Sequence, residues 1–146
     1  MDKNLKNIID EIFLNSDDSK RLSLVVKEIK RYNLRMSIDW LNNGADDNLD
    51  NPELLEKVRQ AQYFHSEKIR CIKKHDFEYA ARFREQEREV LYQLENTDYE
   101  IQFFEGNILL INADFVKVPP FINLKVIALS EVGVMFLKKL QKRVNS

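Results

Sequence analysis

The chain is short of the residues that punctuate and staple small folds: its 146 residues include three glycines, three prolines and one cysteine. So little glycine and proline argues for long helices over a turn-rich all-β fold. A single cysteine, Cys71, excludes an intrachain disulfide and a cysteine-based zinc framework, and both absences suit a reducing cytoplasm. Charge of one sign is lacking as well. With 23 basic and 24 acidic side chains and a formal charge of −1, nothing in the bulk balance draws the chain toward nucleic acid. Long apolar runs are also missing. The late stretch FINLKVIALSEVGVMFL is interrupted by Lys125 and Glu131. The opening MDKNLKNIIDEIF carries Asp2, Asp10 and Glu11 where a signal peptide needs an apolar block. The expectation is a cytoplasmic protein with no membrane contact. No G-x-x-x-x-G-K-[ST] phosphate loop occurs, nor any internal repeat or low-complexity tract.

What is present supports one domain over residues 1–146, since 44% apolar residues supply a core and 32% charged residues a solvated surface. Leu5, Ile8, Ile9, Ile12 and Phe13 predict a helix over 2–14. Leu22, Val25, Ile29, Tyr32, Met36 and Trp40 step by three and four, predicting a second helix from Lys20 to Asn43 with Gly44 as its cap. After an acidic loop, Asn51-Pro52 reads as the start of a third helix reaching about Lys74. Its apolar arc holds Leu54, Val58, Ala61, His65, Ile69 and Ile72. His75 and Asp76 mark a reversal into a fourth helix ending near Glu95, with Phe77, Ala80, Ala81, Phe83, Val90, Leu91 and Leu94 on one face. YEIQFFEGNILLI predicts a β-hairpin, and one of Phe103 and Phe104 should face a core. Pro119-Pro120 breaks regular structure, and a last helix is expected within 123–143. The fold expectation is therefore mainly α. An antiparallel helical hairpin over 52–95 sits in a helical domain, followed by an α+β C-terminal appendage over 97–146 with a small β-hairpin.

Residues 71–90 carry a pattern of their own: Cys71 at a small position, then Asp76, Phe77, Glu78, Ala80, Ala81, Phe83 and Arg84 in order. This resembles the UVR motif, a helical hairpin found in bacterial excinuclease subunits, Clp-type unfoldases and an activator of protein arginine kinase. Glu85 stands where that motif usually has aspartate, Glu87 where it has an aliphatic residue, and Tyr79 where it is commonly polar. The resemblance implies a docking element that associates with a similar hairpin or with another protein's helices. The missing phosphate loop separates this chain from the ATPase members, and the missing cysteine pairs separate it from the kinase activator.

The residues explain the pattern without the family. Paired alanines let two helices approach closely, Phe77 can plug the closed end, and Glu78 suits the positive end of its helix dipole. Arg84 and Glu87 lie three apart inside the apolar arc, where they could pair with each other, border solvent or meet charged groups on a partner. Phe77, Ala80, Ala81, Arg84, Glu87 and Leu91 are the candidate partner-binding residues. Lys68, Arg70, Lys73, Lys74 and Arg82 gather near the reversal, where they could meet phosphate or an acidic surface. His65 has no second ligand and reads as a core or interface histidine. Cys71 and His75 make a weak metal pair, completed only by Glu67, Asp76 or another chain, and nothing around Cys71 prepares it as a nucleophile. No cofactor, metal or small-molecule substrate is expected. The functional expectation is a non-enzymatic adaptor docking on a protein, itself included as a homodimer, as an accessory to a Clp-type or excinuclease-type assembly. The alternative is a nucleic-acid-associated protein using the basic hairpin tip.

Overall fold

A computed structural model describes residues 7–42 and 52–146 of the chain. The expected cap at Gly44 and the acidic loop before Pro52 lie outside the described residues, as does Leu5. Among the described residues there are five helices and four strands. In chain order they are α1 (Ile8–Leu14), α2 (Ser19–Arg31), β1 (Arg35–Trp40), α3 (Pro52–Lys73), α4 (Phe77–Glu95), β2 (Glu100–Phe104), β3 (Asn107–Lys117), β4 (Pro120–Ala128) and α5 (Glu131–Asn145). The strands form one mixed sheet in the order β1-β4-β3-β2, parallel between β1 and β4 and antiparallel elsewhere. This corrects the mainly α expectation: the fold is α/β, with the sheet at its centre.

Two segments account for the correction. The predicted helix from Lys20 to Asn43 ends at Arg31, turns at Asn33 with φ 55°, and continues as β1. Tyr32, Met36 and Trp40 are spaced by four, which satisfies a helical period and a strand period equally. The alternation Met36, Ile38, Trp40 against Arg35, Ser37, Asp39 is the signal that decides for a strand. The second segment is PFINLKVIA, part of which was expected to begin the last helix. It is β4, the central strand, and helix α5 starts only after Ser130, whose side chain accepts from the Val132 N–H at 3.2 Å. The break expected at Pro119-Pro120 is the short turn at Val118-Pro119 between β3 and β4, and Pro120 opens β4.

Each face of the sheet has its own helical cover. Leu109, Ile111, Ile122, Leu124 and Val126 pack against α1, α2 and α5. Gly133 of α5 sits over Leu109, where an added Cβ would lie 3.0 Å from Leu109 Cδ2, so this helix rides close to the sheet. Ile108, Leu110 and Ile127 pack on the opposite face against the α3–α4 hairpin. The result is three layers, helices–sheet–hairpin, with β4 apolar toward both sides at Val126 and Ile127. The β2–β3 hairpin matches expectation. It turns through Glu105 and Gly106, both with positive φ, the geometry of a tight two-residue turn. Phe104 is the buried member of its pair and Phe103 the exposed one.

The free edge of β1 is blunted by side chains. Asn145 Oδ1 accepts from the Met36 N–H at 2.8 Å, and Asn145 Nδ2 and Gln141 Nε2 donate to the Met36 carbonyl at 2.9 and 3.1 Å. Side-chain amides thus take up both outward backbone groups of Met36, where another strand could otherwise pair.

Candidate functional site: the helical hairpin

The α3–α4 hairpin divides into two halves. Its base is core: Leu54, Leu55, Val58 and Ala61 of α3 and Val90 and Leu94 of α4 are buried against the sheet, with Phe64 and Leu91 packed beside them. Gln62 then ties α3 to the β2–β3 turn, accepting from the Ile108 N–H at 2.7 Å and donating to the Gly106 carbonyl at 3.1 Å. His65 meets Phe103 with ring centroids 5.2 Å apart. Beyond that point neither core cluster contains a residue between 65 and 89. The distal half closes on itself, joined to the base by the Phe83 ring, whose centroid lies 6.4 Å from those of Tyr63 and Phe64.

The reversal at its tip is built by local chemistry. His75 takes φ 61°, the Asp76 N–H bonds to the Cys71 carbonyl at 2.8 Å, and the His75 N–H bonds to the Ile72 carbonyl at 3.0 Å. This six-to-one and five-to-two pairing ends α3 with a left-handed residue. Asp76 then caps α4 by accepting from the Tyr79 N–H at 3.3 Å, as its position after the reversal predicts. The expected apolar arc is narrower than the sequence suggested. Cys71 and Ala80 are buried in the seam, whereas Ile69, Ile72 and Phe77 stand 37%, 43% and 62% exposed. Phe77 therefore does not plug the closed end. Ala81 is exposed as well, so only the first of the paired alanines lies between the helices.

The charged residues regroup in the same way. Arg84 and Glu87 do not pair. Glu87 is the buried charge of the seam, 7% exposed, and its partners are on the other helix: Lys68 Nζ donates to Oε1 at 3.0 Å and His65 Nδ1 lies 3.1 Å from Oε2. Position 87 points inward because Ala80, Glu87 and Leu94 repeat every seven residues along the buried side of α4. The carboxylate's partners keep one edge near solvent, each with 17% side-chain exposure. Three of the five basic tip residues are held by acids: Lys68 by Glu87, Arg70 by Glu67, and Arg82 by Glu78 at 3.4 Å. Glu67 holds the Arg70 guanidinium above its usual range through a hydrogen bond and its charge. Lys73 and Lys74 remain exposed at the tip, without an ion pair among the described residues.

The candidate partner-binding residues thus fall on two sides of α4. Ala80 and Glu87 face α3; Phe77, Ala81 and Arg84 face solvent, and Leu91 is half-buried. Sequence reasoning missed Lys68 and His65 as the partners of Glu87. The signal available was the lone acid on an apolar arc, which requires a counter-charge on whatever that arc meets.

Among the described residues no group of three or more histidine, cysteine or acidic side chains is placed to hold a metal. Cys71 is buried while His75 is exposed. A cleft of about 740 Å³ opens where β1 and β4 end, with Trp40, Arg59 and Lys138 on its walls. Ser130, also on that wall, is engaged as the cap of α5. No helix among the described residues is long and apolar enough to cross a membrane. Comparison of the chain with protein-family models, with curated proteins and with solved structures gave no match.

Proposed function

We propose that the protein is a non-enzymatic adaptor that docks on a protein partner through the distal half of its helical hairpin. The observation that carries this reading is the exposure of Ile72, Phe77 and Tyr79, 43%, 62% and 52%, on a segment that adds nothing to either core. Exposed apolar side chains at the end of a well-capped arm are what a helix-packing partner would cover. The resemblance of residues 71–90 to the UVR motif points the same way, toward a Clp-type or excinuclease-type assembly as the partner class. The neutralisation of Lys68, Arg70 and Arg82 by Glu87, Glu67 and Glu78 favours protein docking over phosphate binding.

The test is affinity capture from the source cell with the wild-type chain and Phe77→Ser side by side. The reading expects a discrete protein retained by the wild type through a high-salt wash and lost with the variant. Identical profiles would contradict it, and retention of nucleic acid that washes away with salt would favour the phosphate alternative.

A further inference from the structure

The solvent side of α4 carries a second pattern, distinct from the apolar tip. Arg84, Arg88, Leu91 and Glu95 are spaced by four, three and four, the spacing of a heptad seam. Arg84, Arg88 and Glu95 are exposed and Leu91 is half-buried, because the buried side of the helix is taken by Ala80, Glu87, Val90 and Leu94. Together with Lys68 and Tyr92 the stripe borders a shallow groove of about 350 Å³ along the hairpin. Neither Arg84 nor Glu95 makes an ion pair among the described residues. Arg84 and Arg88, four apart, repel each other within the helix.

A stripe that is basic at one end and acidic at the other is complementary to itself in one orientation. Parallel pairing would stack arginine on arginine. Antiparallel pairing in heptad register places Arg84 of one copy opposite Glu95 of the other and Arg88 opposite Leu91. Tyr92 then stands alongside to take the Arg88 guanidinium over its ring. The twofold axis passes between residues 89 and 90, so every contact is made twice. We propose that two copies of the chain pair antiparallel along this stripe of α4, with reciprocal Arg84–Glu95 contacts fixing the register. The proposal rests on the reading of the hairpin as a docking element and names one of its partners, a second copy. It uses the flank of α4 and leaves the Phe77 tip open.

Sedimentation of the full chain over a range of micromolar concentrations tests it, with Arg84→Glu, Glu95→Arg and the double exchange compared with wild type. All these positions lie outside the core, and circular dichroism verifies that each variant is folded. The expected result is a reversible wild-type dimer weakened by salt. Each single exchange should weaken it roughly tenfold or more, since the symmetry turns two attractions into two repulsions. The double exchange should restore association, because the pair re-forms with its signs reversed. A monomeric wild type would overturn the proposal. So would a dimer indifferent to both single exchanges, or a double exchange no better than the worse single one. The Phe77 capture experiment reads a different surface, so failure here and failure of the adaptor reading are distinguishable.

Discussion

The two halves of the α3–α4 hairpin are made of the same helices and differ in what covers them. The base gives Leu54, Val58, Ala61 and Leu94 to a core shared with Ile108, Leu110 and Ile127 of the sheet. The distal half adds no residue to either core, and in its seam small residues, Cys71 and Ala80, and one buried ion cluster stand where the base has branched apolar side chains. Burial of large aliphatic groups makes the base expensive to alter. A seam of small residues brings the helices together without contributing much area, so the tip keeps its large apolar side chains outside. Stability is concentrated in one half and exposed apolar surface in the other.

The strongest way to break this division is at the base. Leu94 is fully buried between hairpin and sheet, and Leu94→Ala should destabilise the chain by about 2–5 kcal/mol through lost burial and the cavity left behind. Urea denaturation measures it. A loss under about 1 kcal/mol would mean that the hairpin base is not part of the core.

The buried acid comes next. Glu87→Ala should be destabilising by roughly 2–4 kcal/mol, toward the low end of buried-pair losses because His65 and Lys68 retain an edge in solvent. Glu87→Leu, which fills the space and adds a chain-own apolar contact, should lose less, about 1–2 kcal/mol. The order of the two midpoints is the check: equal losses would assign the whole effect to volume and none to the ion cluster.

At the tip the expected effect on folding is small. Phe77→Ser removes a side chain that is 62% exposed and should leave the unfolding free energy within about 0.5 kcal/mol of wild type. The same denaturation series reads it against Leu94→Ala, and a loss comparable to that variant would erase the distinction between the halves.

The smallest predicted effect lies off the hairpin, at the edge of the sheet. Burial, with the nearby Asp10 carboxylate adding to it, pushes the Glu100 carboxyl above its usual range. A raised carboxyl favours the folded state when protonated, so its contribution is present at acid pH and is lost as pH rises through the carboxylate range. Glu100→Gln should therefore gain a few tenths of a kcal/mol at neutral pH, limited by solvent screening, and the gain should vanish in acid. Gln102 Nε2 already donates to Asp10 Oδ1 at 2.7 Å, which limits the repulsion further. A gain that grows on acidification would reverse the sign of this account.

The hairpin was legible in the sequence because its signals are local. Pro52 at the start of α3, the His75-Asp76 reversal and, for the β2–β3 hairpin, the β-branched and aromatic residues flanking Glu105-Gly106 each act within a few residues. The sheet was not, and the reason is physical. β1 and β4 pair in parallel across 85 intervening positions or more, as in Met36 opposite Ile122, and no short-range pattern announces such a partner. β4 is apolar toward both faces near its end, which removes the alternation that marks a half-buried strand. The site was half legible. The residue types of the tip and the anomaly of Glu87 were visible, but helix rotation decided that Ala80 faces in, that Ala81 and Phe77 face out, and that Glu87 reaches Lys68 and His65 rather than Arg84. A rotation of one residue, 100°, lies below what periodicity resolves in a helix rich in charge.

Native-state hydrogen exchange, followed amide by amide as denaturant is raised, tests the central claim most directly. The division into core and arm predicts two levels of protection within single helices. Amides of Val58–Ala61 and Val90–Leu94 should exchange only through global unfolding, together with those of β3 and β4. Amides of Ala80–Phe83, and the last turn of α3 before the reversal, should exchange through a smaller opening of lower free energy that depends weakly on denaturant. Merging of both sets into one global exchange, at every denaturant concentration, would contradict the account: the distal half would then belong to the core, and its exposed side chains would lose their claim to be a separate docking arm.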